Sequence, residues 1–347
     1  MIVESLKKVQ AGRHLSEDEA FGTFREVMNG ECVGEAVLAA LLTAMQMNGP
    51  DAAEVTGAAR AMRAVCLRVH APEGAVDIVG TGGDGLGTFN VSTTAAIIAA
   101  GAGVVVAKHG NKASTSKSGS ADCLAALGYD LMTPLEEVER SIRENGIGFL
   151  FANRCHPAMM YAAPVRKALP FRTVFNLIGP LSNPAGVERH ALGVYAPDIM
   201  PLYIGALRSL GARRALVFCG PGGLDELGLS GKSRISELME DGGVKDYEFD
   251  PNRYFGSLRP AAAISGGTPE ANAKIAYRVL SGEDRGAYRD AAALNAAAAI
   301  VVAGMADSIE SGVETAYEAI DRGAALAKLA ALTSGRAGGE IMERGEQ

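Results

Sequence analysis

Three stretches of this chain concentrate residue types that hold anions or cations. The first is DIVGTGGDGLGTFNVSTTAA, Asp77 to Ala96, with Gly80, Gly82, Gly83, Gly85 and Gly87 inside eight residues. Glycine is entropically costly to order, so this density implies a partner that must approach the backbone without β-carbons in the way. An apolar run precedes the glycines, and a helix start near Thr93 follows them. Backbone amides exposed at such a turn, beside a helix N-terminus, make an anion site. The spacing is not that of a P-loop, because no Gly-Lys-Ser/Thr follows. It is not GxGxxG either, because the glycines end too early. The second stretch is KHGNKASTSKSGSAD, Lys108 to Asp122. Lys108 offers a point charge, and Asn111, Thr115, Ser116 and Ser120 offer donors for several phosphate oxygens at once. The third is the adjacent acid pair Asp225-Glu226 within GLDELGLSG. Such a pair is commonly just solvated, and that reading stands beside a functional one.

These stretches need elements to carry them. Val76 to Val79 and Val104 to Lys108 are short apolar runs without alternation, as in strands buried on both faces of a parallel sheet. Ile147–Phe151, Ala191–Tyr195 and Ala215–Cys219 read as further strands. Helices are expected at Thr93–Ala102, Ala121–Leu127 and Thr133–Asn145. Alternating strands and helices predict a mainly parallel, doubly wound sheet. Its ligands bind at the carboxyl ends of the strands, and consecutive strands are usually neighbours, so the two loops should meet.

The first seventy residues read as helices only. Ser16-x-x-Glu19 is a capping box opening a helix to about Met28, and Val33 to Met47 is a second helical run. Asp51-x-x-Glu54 caps a third that continues to about Val69. From Thr268 onward the chain again reads as helical, chiefly Tyr288–Met305 and Ser311–Leu332. The expected architecture is α/β, with a small all-helical domain over 1–72 and a larger mainly parallel-sheet domain over 73–347.

Composition narrows the function. Among 347 residues, 48% are hydrophobic and 21% charged, which suits a globular chain and argues against disorder. A net charge of -7 and a pI near 5.4 count against a nucleic-acid surface. Five scattered cysteines without CxxC spacing read as reduced cytosolic thiols rather than a zinc site. The N-terminus lacks the apolar core of a signal peptide, and Ala291–Met305 is too short for a membrane span.

GTGGD, then NVST, then KHGN followed by SGSAD resembles the anthranilate phosphoribosyltransferase family, related in fold to pyrimidine nucleoside phosphorylases. HPAMMYAAPVRKALPFRTVFNLIGPLSNP, GLDELGLSG and the late LNAAAAIVVAG extend the likeness over nearly the whole chain. The resemblance implies that Gly80, Gly83, Asp84 and Thr88 cradle 5-phosphoribosyl 1-diphosphate (PRPP). Asn90, Val91, Ser92 and Thr93 would meet its phosphates at the helix start. Lys108, His109, Gly110, Asn111, Lys112, Ala113, Ser114, Thr115 and Ser116, with Ser120, would complete the cradle. It further implies Mg²⁺ on Ser92, Asp225 and Glu226, and anthranilate on Gly80, Asn111 and Arg166, with His109 and His156 lining the acceptor side. Arg166 suits a carboxylate because its fork is planar and bidentate.

The implied reaction transfers the phosphoribosyl group to the anthranilate amine and releases diphosphate, a step of tryptophan biosynthesis. No general base is assigned. The implied assembly is a cytoplasmic homodimer joined through the helical block, with neither nucleic acid nor membrane as partner. Four positions depart from the family pattern: Lys112 for arginine, Thr115 for serine, Asn153 for proline and Pro170 for glycine. A phosphorylase relative using phosphate and a pyrimidine, a transferase with another acceptor, and a nucleic-acid-binding homologue are the competing expectations.

Overall fold

The computed structural model describes residues 1–32, 34–113 and 116–334. Four helices come first: α1 Ile2–Gln10, α2 Glu17–Met28, α3 Glu35–Asn48 and α4 Ala52–Val65. Both expected capping boxes form. Ser16 and Glu19 exchange backbone bonds at the start of α2, as do Asp51 and Glu54 at the start of α4. The α2 and α4 backbones meet because Gly57 has no side chain, since a β-carbon there would lie 2.3 Å from the Glu17 carbonyl oxygen. Helix α4 stops at Val65, short of the expected Val69, and α1 was not foreseen.

The larger unit is built on seven strands: β1 Val76–Gly80, β2 Val106–Gly110, β3 Ile147–Phe151, β4 Arg189–Gly193, β5 Arg214–Cys219, β6 Ser233–Leu238 and β7 Val244–Phe249. Their order is β3-β2-β1-β4-β5-β6-β7. The first five pair in parallel, and β6 and β7 add an antiparallel hairpin at one edge that the sequence reading did not include. The connecting helices are α5 Val91–Gly101, α6 Ser120–Ala126, α7 Leu135–Asn145, α8 Ala152–Cys155, α9 Ala163–Ala168, α10 Val174–Ile178 and α11 Met200–Ser209. After β7 come α12 Pro251–Phe255, α13 Pro269–Leu280, α14 Ala287–Val302, α15 Ile309–Asp321 and α16 Ala324–Leu332. The single helix expected over Ser311–Leu332 is divided by Gly323, whose φ of 74° is left-handed.

Alternation along the strands sorts two cores. On β5, Leu216 and Phe218 join a core with α5 and α13 to α16, while Ala215 and Val217 join a core with α1 to α4, α10 and α11. The helical domain thus closes one face of the sheet. No helix among the described residues is long and apolar enough to cross a membrane. Chain order reverses around β1, which has β2 on one side and β4 on the other. A crevice outside the strand ends at such a reversal is where doubly wound sheets take ligands.

Candidate active site

The glycine loop leaves β1 at that reversal. The Gly82 N–H donates to Asp225 Oδ2 at 2.6 Å, and the Ser92 N–H, in the first turn of α5, donates to Glu226 Oε1 at 3.0 Å. Each acid of the pair therefore takes an amide of the expected anion site: Ser92 was among its expected residues, and Gly82 lies in the same loop. Asp225 fits only because β1 and β4 end in glycine. A β-carbon at Gly80 would stand 2.3 Å from Asp225 Oδ2, and one at Gly193 would stand 1.8 Å from the Asp225 carbonyl oxygen. Asp84 folds its carboxyl back to the Leu86 N–H, and its Oδ2 is buried close to Asp225 with no hydrogen bond of ordinary geometry among the described residues.

Burial and mutual proximity make full ionisation of this acid cluster costly. Burial, then the neighbouring Asp84, raises the Asp225 carboxyl to about 7. Burial and Asp225 push Glu226 well above the usual carboxylate range, against the pull of Lys108. Lys108 is itself buried, which lowers its amine, and Asp77, Glu226 and Asp225 act to raise it. Its Nζ donates to the Ile78 carbonyl at 2.6 Å and reaches Ser92 Oγ at 3.5 Å. A hard cation bound by one or two carboxylates and completed by phosphate oxygens matches this donor set. Among the described residues, three metal-ligating side chains converge tightly only at His14, Asp51 and Glu54. There Glu54 is already occupied by the His14 ring and by the amides of Leu15 and Asp51.

The second loop is closed by a residue that stood in the motif without a role. One oxygen of Asp122 accepts from both the Ala113 N–H, at 2.8 Å, and the Gly119 N–H, at 2.9 Å. Ser120 Oγ donates to the Asn111 carbonyl at 3.2 Å and packs where a side chain on Gly110 would lie. Ser116 turns to the Ser118 carbonyl, and Lys112 is exposed. Ser114 and Thr115 lie outside the described residues. Asn90 joins the two loops: its Nδ2 donates to the Ser118 carbonyl at 3.2 Å, and its Oδ1 accepts from Ser118 Oγ at 2.9 Å. Val91 is buried in the sheet core, so only its backbone can face a ligand. Thr93 is also buried, and its hydroxyl has no partner among the described residues. Thr88 forms an antiparallel bridge to Ser265.

On the acceptor side the geometry is looser. His109 Nε2 and His156 Nε2 lie 3.2 Å apart in a T-shaped pair. Burial, then His156, holds His109 well below the usual imidazole range, and burial brings His156 down to about 4. Both rings are thus neutral at pH 7, and one must donate to the other. The His109 N–H donates to the buried Asp77 carboxylate at 3.0 Å, which fixes the end of β2. Arg166 projects from α9 with its guanidinium 5.4 Å from the Phe175 ring centre and no carboxylate partner among the described residues. Among the described residues no hydrogen bond joins it to Gly80 or Asn111. Asn153 and Pro170 are both exposed.

Two positions escaped the sequence reading. Arg172 donates to the Gly83 carbonyl and stacks 3.6 Å from the centre of the Tyr195 ring, tying the acceptor segment to the glycine loop. Its only sequence signal is a further cation six residues beyond Arg166. Asn272 on α13 is buried and donates to Asn90 Oδ1 at 2.8 Å. Nothing local announces that role.

Comparison with known proteins agrees with this layout. Residues 72–326 match the family model described as "Glycosyl transferase family, a/b domain", and residues 3–66 match "Glycosyl transferase family, helical bundle domain". Anthranilate phosphoribosyltransferase of Rubrobacter xylanophilus is 51% identical over 95% of this chain and 96% of its own length. The crystal structure of the enzyme of that name from Thermus thermophilus superposes with a TM-score of 0.90 at 44% identity, covering 96% of this chain and 99% of that one. The Saccharomyces cerevisiae enzyme in complex with PRPP and Mg gives a TM-score of 0.88 at 29% identity, covering 96% and 97%. A shared fold, sequence identity over nearly the full length and two loops meeting at one strand reversal lead to one conclusion: the chain belongs to the anthranilate phosphoribosyltransferase family.

Proposed function

We propose that this protein transfers the phosphoribosyl group of PRPP to anthranilate, giving N-(5-phosphoribosyl)anthranilate and diphosphate in tryptophan biosynthesis. One observation carries the reading: the amides of Gly82 and Ser92 meet the Asp225-Glu226 pair at the end of β1, and the amine of Lys108 reaches Ser92 Oγ beside them. Asp225, Glu226 and Ser92 would hold Mg²⁺, which when bound neutralises charge on the diphosphate leaving group. The amides of Gly82 and Ser92 would then be available to phosphate oxygens, with Lys108 as fixed positive charge. Gly83, Asp84, Thr88, Asn90 and the Lys108–Ser120 loop would enclose the rest of PRPP.

Arg166 would hold the acceptor carboxylate, and the neutral His109–His156 pair would line that side without adding charge. The amine nitrogen bonds to ribose C1 as the C1–oxygen bond to diphosphate breaks, and the electron pair leaves with diphosphate. The new secondary amine then sheds its extra proton. Holding the two substrates in line supplies much of the rate, so no strong base is required. The test is a product assay with PRPP, Mg²⁺ and a panel of aromatic amines. Anthranilate should be the preferred acceptor. Inactivity with anthranilate, or phosphorolysis of pyrimidine nucleosides instead, would refute the assignment.

The same reading includes a cytoplasmic homodimer joined through residues 1–72. Val3 and Met47, which are 39% and 82% exposed on this unit, support such a contact. A monomeric mass at micromolar concentration would exclude it.

A further inference from the structure

The motif LNAAAAIVVAG has a polar residue among alanines with no part in the site described above. Asn295 sits in the middle of α14 and is 0% exposed. Its Oδ1 accepts from the Leu227 N–H at 2.8 Å, and its Nδ2 donates to the Leu227 carbonyl at 3.0 Å and to the Ala291 carbonyl at 2.9 Å. Both donors and the acceptor of the amide are thus used, and two of the three bonds grip one residue. That residue directly follows Glu226. The Leu227 N–H belongs to the peptide plane that joins it to Glu226, so Asn295 fixes the orientation of the Glu226 backbone. Gly220 leaves room for the same peptide, because a β-carbon there would meet the Glu226 carbonyl oxygen at 2.3 Å. One residue further on, the Gly228 N–H donates to Ser233 Oγ at 3.0 Å.

A buried amide is costly in an alanine-rich helix unless it is satisfied, and here a loop backbone satisfies it. Packing alone would be met by leucine or alanine. We infer that Asn295 is a positioning residue for metal binding: it holds the Asp225-Glu226 loop so that both carboxylates face the end of β1. The inference rests on the proposal that this pair binds Mg²⁺. Residues that orient metal ligands typically contribute about 10- to 100-fold in affinity.

The experiment measures Mn²⁺ binding by electron paramagnetic resonance on the full-length protein with inorganic diphosphate present. It compares wild type, Asn295→Ser and Glu226→Gln. The serine variant should bind Mn²⁺ about 10- to 100-fold more weakly. Its KM for anthranilate should stay near wild type, and its turnover should recover when Mg²⁺ is raised in proportion. Unchanged Mn²⁺ affinity in Asn295→Ser, beside weakened binding in Glu226→Gln, would overturn the inference. So would weakening that extends equally to anthranilate and is not repaired by excess metal, since that is the pattern of general loosening. Unchanged affinity in Glu226→Gln would instead remove the metal assignment itself. If the serine variant does not fold, Asn295→Ala serves in its place, because the alanine-rich helix suits it and both bonds to Leu227 are lost without adding a charge.

Discussion

Replacing Gly193 with alanine tests whether the acid loop must lie against the end of β4. The new methyl would stand 1.8 Å from the Asp225 carbonyl oxygen and 2.5 Å from its carbonyl carbon, whereas ordinary contact begins at 3.4 Å. Both atoms are backbone, so no rotamer change relieves the clash, and the loop must retreat by about 1.6 Å. Overpacking of this kind costs about 1–3 kcal/mol of stability. A misplacement of about 1 Å at a reacting centre can cost roughly a hundredfold in rate, or about 2.7 kcal/mol of barrier. We expect a folded protein with a lowered Tm, kcat/KM for PRPP down about a hundredfold and a raised Mg²⁺ requirement. Steady-state kinetics over a range of Mg²⁺ concentrations, with Tm measured alongside, would read this. Gly205→Ala is the control, because its methyl meets only the Ala52 side chain, at 3.2 Å. Wild-type kinetics in Gly193→Ala would refute the reasoning, as would an equal loss in the control.

Two further outcomes are expected. Arg166→Ala should raise the KM for anthranilate about ten- to hundredfold, the value of one charge-assisted contact, and leave PRPP binding unchanged; Arg166→Lys should rescue only in part, and equal weakening of both substrates would contradict the assignment. The Asp225 carboxyl ionises near 3.8 when unfolded but at about 7 when folded, so the native state retains its proton longer and metal-free stability falls as pH rises between those values. Asp225→Asn keeps an acceptor for Gly82 without the charge. It should therefore melt above wild type at pH 8 and converge with it near pH 4, and a gap independent of pH in thermal melts with chelator would show that the charge is not the cause.

Much of the scaffold is legible in local sequence because its causes are local. Ser16 with Glu19 and Asp51 with Glu54 are three residues apart, and each pair closes its own helix start. The glycine density after β1 signals close approach, and close approach is found, although Asp225 makes it in this structure. What escaped depends on distant pairing. Asn295 meets Leu227 across 68 positions, Arg172 meets Gly83 across 89, and Asn272 meets Asn90 across 182. Other misses had readable signals. Asp241-Gly242-Gly243 between two strand-like runs marks the β6–β7 hairpin, and Gly323 marks a helix end inside an alanine-rich run. Arg166 was legible as a cation on a helix, but its stacking toward Phe175 was not, because that contact depends on how α9 and α10 pack.

The core shared by α1 to α4 with β4, β5, α10 and α11 also governs how the chain can be made. Buried residues of the first four helices, such as Phe24, Leu42 and Met62, lie in one apolar cluster with Leu192, Val217 and Cys219. Synthesis proceeds from the N-terminus, so the helices leave the ribosome about 150 residues before the last of these partners, a wait of roughly 8–30 s at about 5–20 residues per second. During that interval the β4 and β5 side chains that complete this core are missing. The helical segment therefore leaves apolar surface uncovered while it waits, and an N-terminal fragment ending before β4 should aggregate more readily than the full chain.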